Sequence, residues 1–142
     1  MSIETRPGTI ADACDCAKIV NDWIAETDWL KGPPVETVID ALARGIEMRE
    51  FWVAGEPVFG YLSFNAEDNQ IMGLYCASRC KGVGKTLMDR VKEGRDFVQL
   101  WSHAVNLPAH KFYRREGFVQ TDTKAEGADG IPEIKMEWRR AR

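Results

Sequence analysis

Apolar residues change their spacing along this chain, and the changes predict where helices and strands lie. They recur every three or four positions over residues 13–24, which predicts a helix over about residues 9–25. The same spacing predicts a second helix over residues 35–44, ended by Gly45, a residue suited to the C′ position. A Gly-Pro-Pro break at residues 32–34 separates the two helices.

Three short segments with strand character follow the helices. Residues 51–54 and 58–65 are separated by a Gly-Glu-Pro turn, and side chains alternate in direction along the longer segment. A polar turn leads into residues 70–76, so the three segments are predicted to pair as an antiparallel meander. Gly73 lies in the middle of the third strand, where glycine often marks a β-bulge or the close approach of a ligand.

The second half of the chain alternates strands and helices. Helical spacing covers residues 85–93 and 106–116. Strand segments occupy residues 97–102, 118–122 and 134–138. With a short extended segment at residues 3–6 before the first helix, the resulting order, β-α-α-β-β-β-α-β-α-β-β, predicts a mixed α/β fold. The length of 142 residues, without repeats or linkers, predicts one domain over residues 1–142.

Composition and charge exclude several classes of protein. Hydrophobic residues make up 44% of the chain, and no apolar run approaches the roughly 18 residues of a transmembrane helix. A net charge of −3 argues against a nucleic-acid partner, which needs a basic face. The first residues lack the core of a signal peptide, so we expect a cytoplasmic protein with no membrane partner. The four cysteines lack the spacing of a zinc site, and we expect no metal.

The loop between the third meander strand and the following helix has the composition of an anion site. Gly82 and Gly84 lack Cβ atoms, so a phosphate can approach their backbone closely. Arg79, Lys81 and Lys85 add positive charge. The N–H groups at the start of the helix have no intrahelical partner, so they can bind the same phosphate.

Two known motifs compete for this loop. Gly84-Lys85-Thr86 matches the end of a Walker A loop, G-x-x-x-x-G-K-[ST], but Arg79 stands where that motif requires its first glycine. The other motif, [QR]-x-x-G-x-[GA], is matched in full over residues 79–84. A tight strand-to-helix turn with no ligand is a third interpretation of the two glycines.

A second motif lies downstream and favours one of these interpretations. Residues 106–118 follow the pattern N-x-x-A-x-x-F-Y-x-x-x-G-F, and the two motifs together resemble the GNAT superfamily of N-acetyltransferases. The resemblance covers residues 70–118 tightly, and the order of elements extends it over nearly the whole chain. It implies a mostly antiparallel mixed sheet with flanking helices, whose central strands splay apart and hold acetyl-CoA in the gap.

The resemblance also implies which residues bind acetyl-CoA. Strand residues would pair with the pantetheine amides or polarise the thioester carbonyl. The loop and the helix start would hold the phosphates, and an asparagine at the next helix would bind CoA or its water. The implied set is Leu74, Tyr75, Cys76, Arg79, Lys81, Gly82, Val83, Gly84, Lys85, Thr86, Asn106 and Ala109.

Tyr113 and His103 are the predicted catalytic residues. The resemblance assigns Tyr113 the protonation of the departing CoA thiolate, a role open to a tyrosine hydroxyl because it keeps its proton at neutral pH. No carboxylate lies on residues 70–76, where many family members place a general base. Histidine titrates in the range a base needs, so His103 is one candidate, and a chain of water molecules is another. Asp28 and Trp29, between the first two helices, are the predicted acceptor residues.

We therefore predict an N-acetyltransferase that moves acetyl from acetyl-CoA to a primary amine by direct attack in a ternary complex. The acceptor would be a small-molecule or peptide amine, and exposed edge strands could support a homodimer. The alternatives are a non-catalytic acyl-CoA-binding or sensor module and a P-loop-like nucleotide-binding protein. The transferase and the acyl-CoA-binding module should bind acetyl-CoA without metal. The P-loop-like protein should instead bind ATP with Mg²⁺.

Overall fold

A computed structural model describes residues 3–77, 82–127 and 129–141, with the backbone alone for Val35. Within these ranges the chain forms a seven-stranded mixed sheet flanked by four α-helices, which confirms the predicted mixed α/β class. No helix in these ranges is both long enough and apolar enough to cross a membrane.

The elements lie close to the predicted positions. A 3-10 turn, Ile10–Asp12, leads into the first helix. The α-helices are α1 (Ala13–Ala25), α2 (Val35–Met48), α3 (Val83–Lys92) and α4 (Leu107–Arg115). The strands are β1 (Thr5–Pro7), β2 (Glu50–Ala54), β3 (Gly60–Asn65), β4 (Gln70–Cys76), β5 (Phe97–His103), β6 (Val119–Lys124) and β7 (Glu133–Arg139).

The sheet runs in the order β1-β2-β3-β4-β5-β7-β6. The predicted antiparallel meander of β2, β3 and β4 is confirmed. Neighbouring strands are antiparallel throughout, except that β4 and β5 are parallel. A parallel pair needs a crossover connection, and α3 supplies it between β4 and β5.

The two faces of the sheet carry different helices. Leu62 of β3 belongs to a buried cluster with Leu87 of α3 and Tyr113 of α4. The adjacent Tyr61 belongs to another cluster, with Cys16 of α1 and side chains of α2. Because neighbouring residues on a strand point to opposite faces, α3 and α4 cover one face and α1 and α2 cover the other.

The centre of the sheet opens where β4 and β5 separate. Gln70 of β4 pairs with Gln99 of β5, and Ile71 pairs with Leu100, where the pairing of the two strands ends. The register between β3 and β4 shifts just beyond this point, so that Met72 is the extra residue of a β-bulge. The predicted bulge is therefore present, one residue before Gly73. A bulge bends its strand, so β4 turns away from β5 and its edge from Met72 to Tyr75 has no strand partner in the described ranges.

Helix α2 continues past its predicted end. It ends at Met48, so the prediction that Gly45 terminates it is wrong. Ile46, the next residue, packs against the buried cluster beneath β2 and β3. Burial of this side chain offsets the ~1 kcal/mol that a glycine inside a helix costs relative to alanine.

Asp12 joins the start of the helical region to β1. Its carboxylate accepts two hydrogen bonds of 2.8 Å from the Arg6 guanidinium and one of 2.8 Å from the Thr9 N–H. The Arg6 hydrogen bond, opposed by burial, lowers the pKa of Asp12 to about 2. A carboxylate with a lowered pKa stabilises the fold above its unfolded value of 3.8, and this contribution disappears as the pH falls towards 2.

We expect Asp12→Asn to lower the free energy of unfolding by about 1–2 kcal/mol at pH 7. Asp15→Asn, at an exposed position of α1, is the matched control and should change stability by less than ~0.5 kcal/mol. Urea titrations at decreasing pH should show the Asp12 effect shrinking between about pH 4 and pH 2. An effect that stays constant over this range would mean that Asp12 acts through packing and not through its charge.

Candidate active site

A cavity of about 1060 Å³ opens where β4 and β5 separate. Its walls are the diverging strands, the first turn of α3 and the inner face of α4. Both predicted catalytic residues, Tyr113 and His103, line it. Gly82 and Gly84 line it as well, so the cavity connects the predicted anion site with the predicted catalytic groups.

The start of α3 forms one wall of the cavity and contains part of the predicted anion site. Gly82 is the N-cap, with a φ of +85°, a left-handed conformation that glycine adopts at little cost. The backbone N–H and the hydroxyl of Thr86 both donate to the Gly82 carbonyl, at 3.0 and 2.8 Å. The N–H groups of Val83, Gly84 and Lys85 come before this first helical hydrogen bond. They therefore have no intrahelical acceptor and can bind an anion.

The two glycines of this wall are needed for different reasons. A Cβ atom at Gly84 would lie 3.0 Å from the ring of Phe112, so glycine there allows α3 to pack against α4. A Cβ atom at Gly82 would come no closer than 3.7 Å to its neighbours. The constraint at Gly82 is therefore the positive φ and not the space around it.

The other predicted phosphate-binding residues differ in how they face the cavity. Lys85 lines it, although its ammonium group lies 3.4 Å from the carboxylate of Asp89. The side chain of Val83 is buried in the core, so its backbone N–H is the group that remains for a ligand. Arg79 and Lys81 lie outside the described residues, and their roles stay predictions.

Helix α4 forms the opposite wall and carries the predicted catalytic tyrosine. The side-chain oxygen of Asn106 caps the helix by accepting the N–H of Ala109 at 3.4 Å, and both residues line the cavity. Tyr113 is 9% exposed. Burial raises the pKa of Tyr113, and the nearby Tyr75 and Cys76 raise it further. The hydroxyl is therefore neutral at physiological pH and can donate a hydrogen bond.

The end of β5 holds a hydrogen-bonded histidine and aspartate. Nε2 of His103 lies 2.6 Å from Oδ2 of Asp129, a residue of the loop between β6 and β7. The other carboxylate oxygen of Asp129 accepts the N–H of Ile131 at 3.2 Å. Burial opposes ionisation of Asp129 and is the largest single effect, but the hydrogen bonds from His103 and from the Ile131 N–H, together with the charge of His103, outweigh it and hold the pKa of Asp129 below its usual value. With its Nε2 proton donated to this carboxylate, His103 keeps Nδ1 as its proton acceptor.

Glu133 joins this pair through the register of the sheet. The pairing of β5 with β7 places Glu133 opposite His103. One atom able to coordinate a metal ion from each of His103, Asp129 and Glu133 lies within 4.8 Å of the other two. This spacing is compatible with a divalent cation as well as with a cationic substrate. His110 of α4 is buried, and its Nε2 lies 2.9 Å from the carbonyl oxygen of His103, so it supports the end of β5.

Aromatic side chains surround the histidine. The ring of Trp29 lies 5.0 Å from that of His103 and 5.9 Å from that of Trp23. Trp23 in turn lies 5.2 Å from Tyr75. The structure thus places Trp29 beside the candidate base and leaves Asp28 exposed, and neither residue is among those that line the cavity itself.

Asp129 and Glu133 are the site residues that sequence reasoning missed. Asp129 lies 26 residues from His103 in the chain, within a polar loop that has no hydrophobic period. The pairing of β5 with β7 brings this loop to the end of β5. A contact of this kind has no local sequence signal.

The sequence from residue 47 to residue 120, just over half of the chain, matches the family model described as an acetyltransferase (GNAT) domain. The protein therefore belongs to the GNAT acetyltransferase family, and the resemblance noted in the sequence is confirmed. Among curated protein sequences, none matches the chain.

Solved structures show the same fold at low sequence identity. The apo form of YjaB from Escherichia coli has a TM-score of 0.80 at 19% identity, covering 99% of this chain and 100% of that one. PaiA N-acetyltransferase from Thermoplasma acidophilum, in complex with coenzyme A, has a TM-score of 0.77 at 22% identity, covering 99% and 100%. YncA from Salmonella typhimurium, with its cofactor acetyl-CoA, has a TM-score of 0.71 at 17% identity, covering 100% and 96%.

Proposed function

We propose that this protein is an N-acetyltransferase that moves the acetyl group of acetyl-CoA to a primary amine by direct attack in a ternary complex. The observation that carries the proposal is the cavity between β4 and β5. It joins a helix N-terminus, a buried tyrosine and a histidine–aspartate pair. Membership of the GNAT family supplies acetyl transfer as the general chemistry.

The residues of the cavity fit the shape and charge of acetyl-CoA. The N–H groups at the start of α3 suit a pyrophosphate. The edge of β4 from Met72 to Tyr75 has no strand partner in the described ranges, so Leu74 can pair with a pantetheine amide like an added strand. A β4 N–H at Leu74 or Tyr75 suits the thioester oxygen. Acetyl-CoA bound there would supply an activated acetyl group with a thiolate as its leaving group.

His103 would act as the general base. A primary amine is protonated at neutral pH and must lose a proton before its nitrogen can attack the thioester carbon. Nδ1 of His103 can accept that proton while Nε2 stays hydrogen-bonded to Asp129. Asp129 would orient the ring and stabilise its cationic form. This pair takes the place of the strand carboxylate that β4 lacks.

Tyr113 would stabilise the departing sulfur. As the carbon–nitrogen bond forms, the carbon–sulfur bond breaks and negative charge develops on sulfur. A tyrosine whose pKa is raised by burial stays neutral and donates a hydrogen bond to that charge. Complete proton transfer from so weak an acid to a thiolate is unfavourable, because simple thiols have a pKa of about 8.5. The hydroxyl therefore acts as a hydrogen-bond donor. The thiolate takes a proton from solvent, and the second proton that the nitrogen loses as it becomes an amide passes to solvent.

The two alternatives are less well supported by the site. A non-catalytic acyl-CoA-binding module was favoured by the absence of a carboxylate on β4, but His103 and Asp129 offer a base inside the cavity. A P-loop needs a glycine at position 79 to wrap a phosphate, and the sequence has Arg79 there.

Calorimetric titration of the protein with acetyl-CoA in metal-free buffer, beside ATP with Mg²⁺, tests the cosubstrate. We expect acetyl-CoA to bind and ATP not to bind. Release of free thiol that depends on an added primary amine then tests the transfer. Binding without amine-dependent release would favour the acyl-CoA-binding module, and binding of ATP alone would overturn the assignment of the cosubstrate.

Gly82→Ala is expected to weaken acetyl-CoA binding about tenfold. Alanine in the left-handed conformation costs ~1–2 kcal/mol, and relief of that strain would move the N–H groups away from the phosphate. The matched control is Gly94→Ala after the end of α3, where φ is +70° and the space around the residue is open. Both variants should lose similar stability, and titration calorimetry should show weaker binding in Gly82→Ala alone. Equal affinities in the two variants would remove the start of α3 from the binding site.

A further inference from the structure

We propose that the acceptor is a small primary ammonium ion on a flat apolar body, held by Trp23, Trp29 and Tyr75 and by the carboxylates of Asp129 and Glu133. The inference rests on the proposed function, because it describes the acceptor end of the same cavity. It goes further in naming what the acceptor must look like.

The aromatic part of the acceptor site is a continuous row of rings from separate elements. Trp23 comes from α1, Trp29 from the segment after it, Tyr75 from β4 and His103 from β5. The centroids of neighbouring rings lie between 5.0 and 5.9 Å apart. Trp29 remains 36% exposed, so part of its indole is open to a ligand. Such rings stack on flat apolar groups, and their faces attract cations.

The acidic part of the site lies against this row. The Asp129 side chain is 35% exposed and the Glu133 side chain 16% exposed. Lys124 lies 3.7 Å from Glu133, whereas Asp129 has no Lys or Arg partner within the described ranges. Lys124 offsets the charge of Glu133, so the charge of Asp129 is the one left for an ammonium group. Burial raises the pKa of Tyr75, and the negative charge of Asp129 raises it further. The charge of Asp129 therefore acts on the aromatic row.

The two parts together determine which acceptors fit. An ammonium group drawn to Asp129 has its nitrogen beside His103, since His103 and Asp129 are 2.6 Å apart. The remainder of the molecule then lies against Trp29, which packs on His103. An anionic acceptor would be repelled by the carboxylates. A linear alkylamine would keep the charge interaction but would leave the rings without a flat partner.

The test measures binding without catalysis. Four probes are titrated calorimetrically into the full chain with coenzyme A present, so that no acetyl group is available: 2-phenylethylamine, butylamine, 2-phenylethanol and 3-phenylpropionate. We expect 2-phenylethylamine to bind at least about tenfold more tightly than each of the others. Equal binding of butylamine would refute the aromatic part of the inference, and equal binding of 2-phenylethanol would refute the ionic part. Trialanine is titrated as a fifth probe, and its equal binding would refute a small acceptor.

Variants locate the site. Trp29→Ala and Asp129→Asn should each weaken 2-phenylethylamine binding about tenfold, and Trp29→Phe should restore most of it. Glu126→Gln is the matched control, because it removes one negative charge from an exposed position of the same loop. Unchanged affinity in both Trp29→Ala and Asp129→Asn would overturn the inference. Loss of amine binding on addition of EDTA would also overturn it, since the carboxylates would then be holding a metal ion.

Failure of this inference and failure of the proposed function give different results. An enzyme that acetylates butylamine and 2-phenylethylamine equally well would refute the inference and leave the transferase intact. The expected order of affinities without thiol release from any amine would refute the transferase and leave the ligand class intact.

Discussion

Replacing His103 by glutamine is expected to lower kcat/KM for amine acetylation by about 10²- to 10³-fold at neutral pH. Glutamine has a similar length and can still bond to Asp129, but it cannot accept a proton from the acceptor ammonium group. β4 contributes no carboxylate that could replace the base. Thiol release, measured for both proteins with saturating acetyl-CoA, gives the ratio of their kcat/KM values directly.

The pH profile distinguishes a lost base from a damaged fold. In the parent protein, kcat/KM should rise with pH while the base loses its proton. In His103→Gln that rise should disappear and be replaced by one at higher pH, where the free amine becomes abundant. Acetyl-CoA affinity should change less than about twofold, which serves as the control for folding. If the rise at neutral pH persists in the variant, the proton leaves by another path, such as water.

Tyr113→Phe is expected to lower kcat by about 10- to 10²-fold while leaving acetyl-CoA affinity nearly unchanged. The substitution removes one hydroxyl from a 9% exposed side chain and little volume, so the packing around it is kept. The lost interaction is the hydrogen bond to the sulfur charge, which exists in the transition state and not in the bound ground state. Because burial raises the pKa of Tyr113, the reduction should be the same at every pH from about 6 to 9.

Tyr61→Phe is the matched control for this variant. Tyr61 is also buried, at 3% exposure, but it stacks on Phe51 and is not among the residues that line the cavity. Steady-state kinetics of the two variants at saturating amine should therefore separate a role in turnover from a role in packing. An unaltered kcat in Tyr113→Phe would mean that the thiolate departs without this hydroxyl.

Features set by neighbouring residues in the chain were predicted well. The bounds of β4 agree with the prediction, because a short apolar run between two polar loops leaves little freedom of register. Gly82 and Asn106 act as N-caps of the helices that their motifs predicted, since capping involves groups within four residues. Gly84 was expected to admit a phosphate, and its packing against Phe112 of another helix could not be seen locally.

Features set by distant residues were predicted less well. The stop at Gly45 was wrong because burial of Ile46 against the sheet outweighs the local preference of glycine. The bulge residue is Met72, since the register with β3 decides which residue is left unpaired. Asp129, the hydrogen-bond partner of His103, was missed because it lies 26 residues away in the chain.

The sequence by itself determined the class of fold, the family and the glycine-containing start of α3 that forms one wall of the cavity, because periodicity, capping and short motifs depend on residues close together in the chain. Tertiary structure alone decided the acceptor end. There, the pairing of β5 with β7 brings the loop of Asp129 to His103, and the packing of α1 on the sheet brings Trp23 to Tyr75. These contacts join residues far apart in sequence, and no local pattern encodes them.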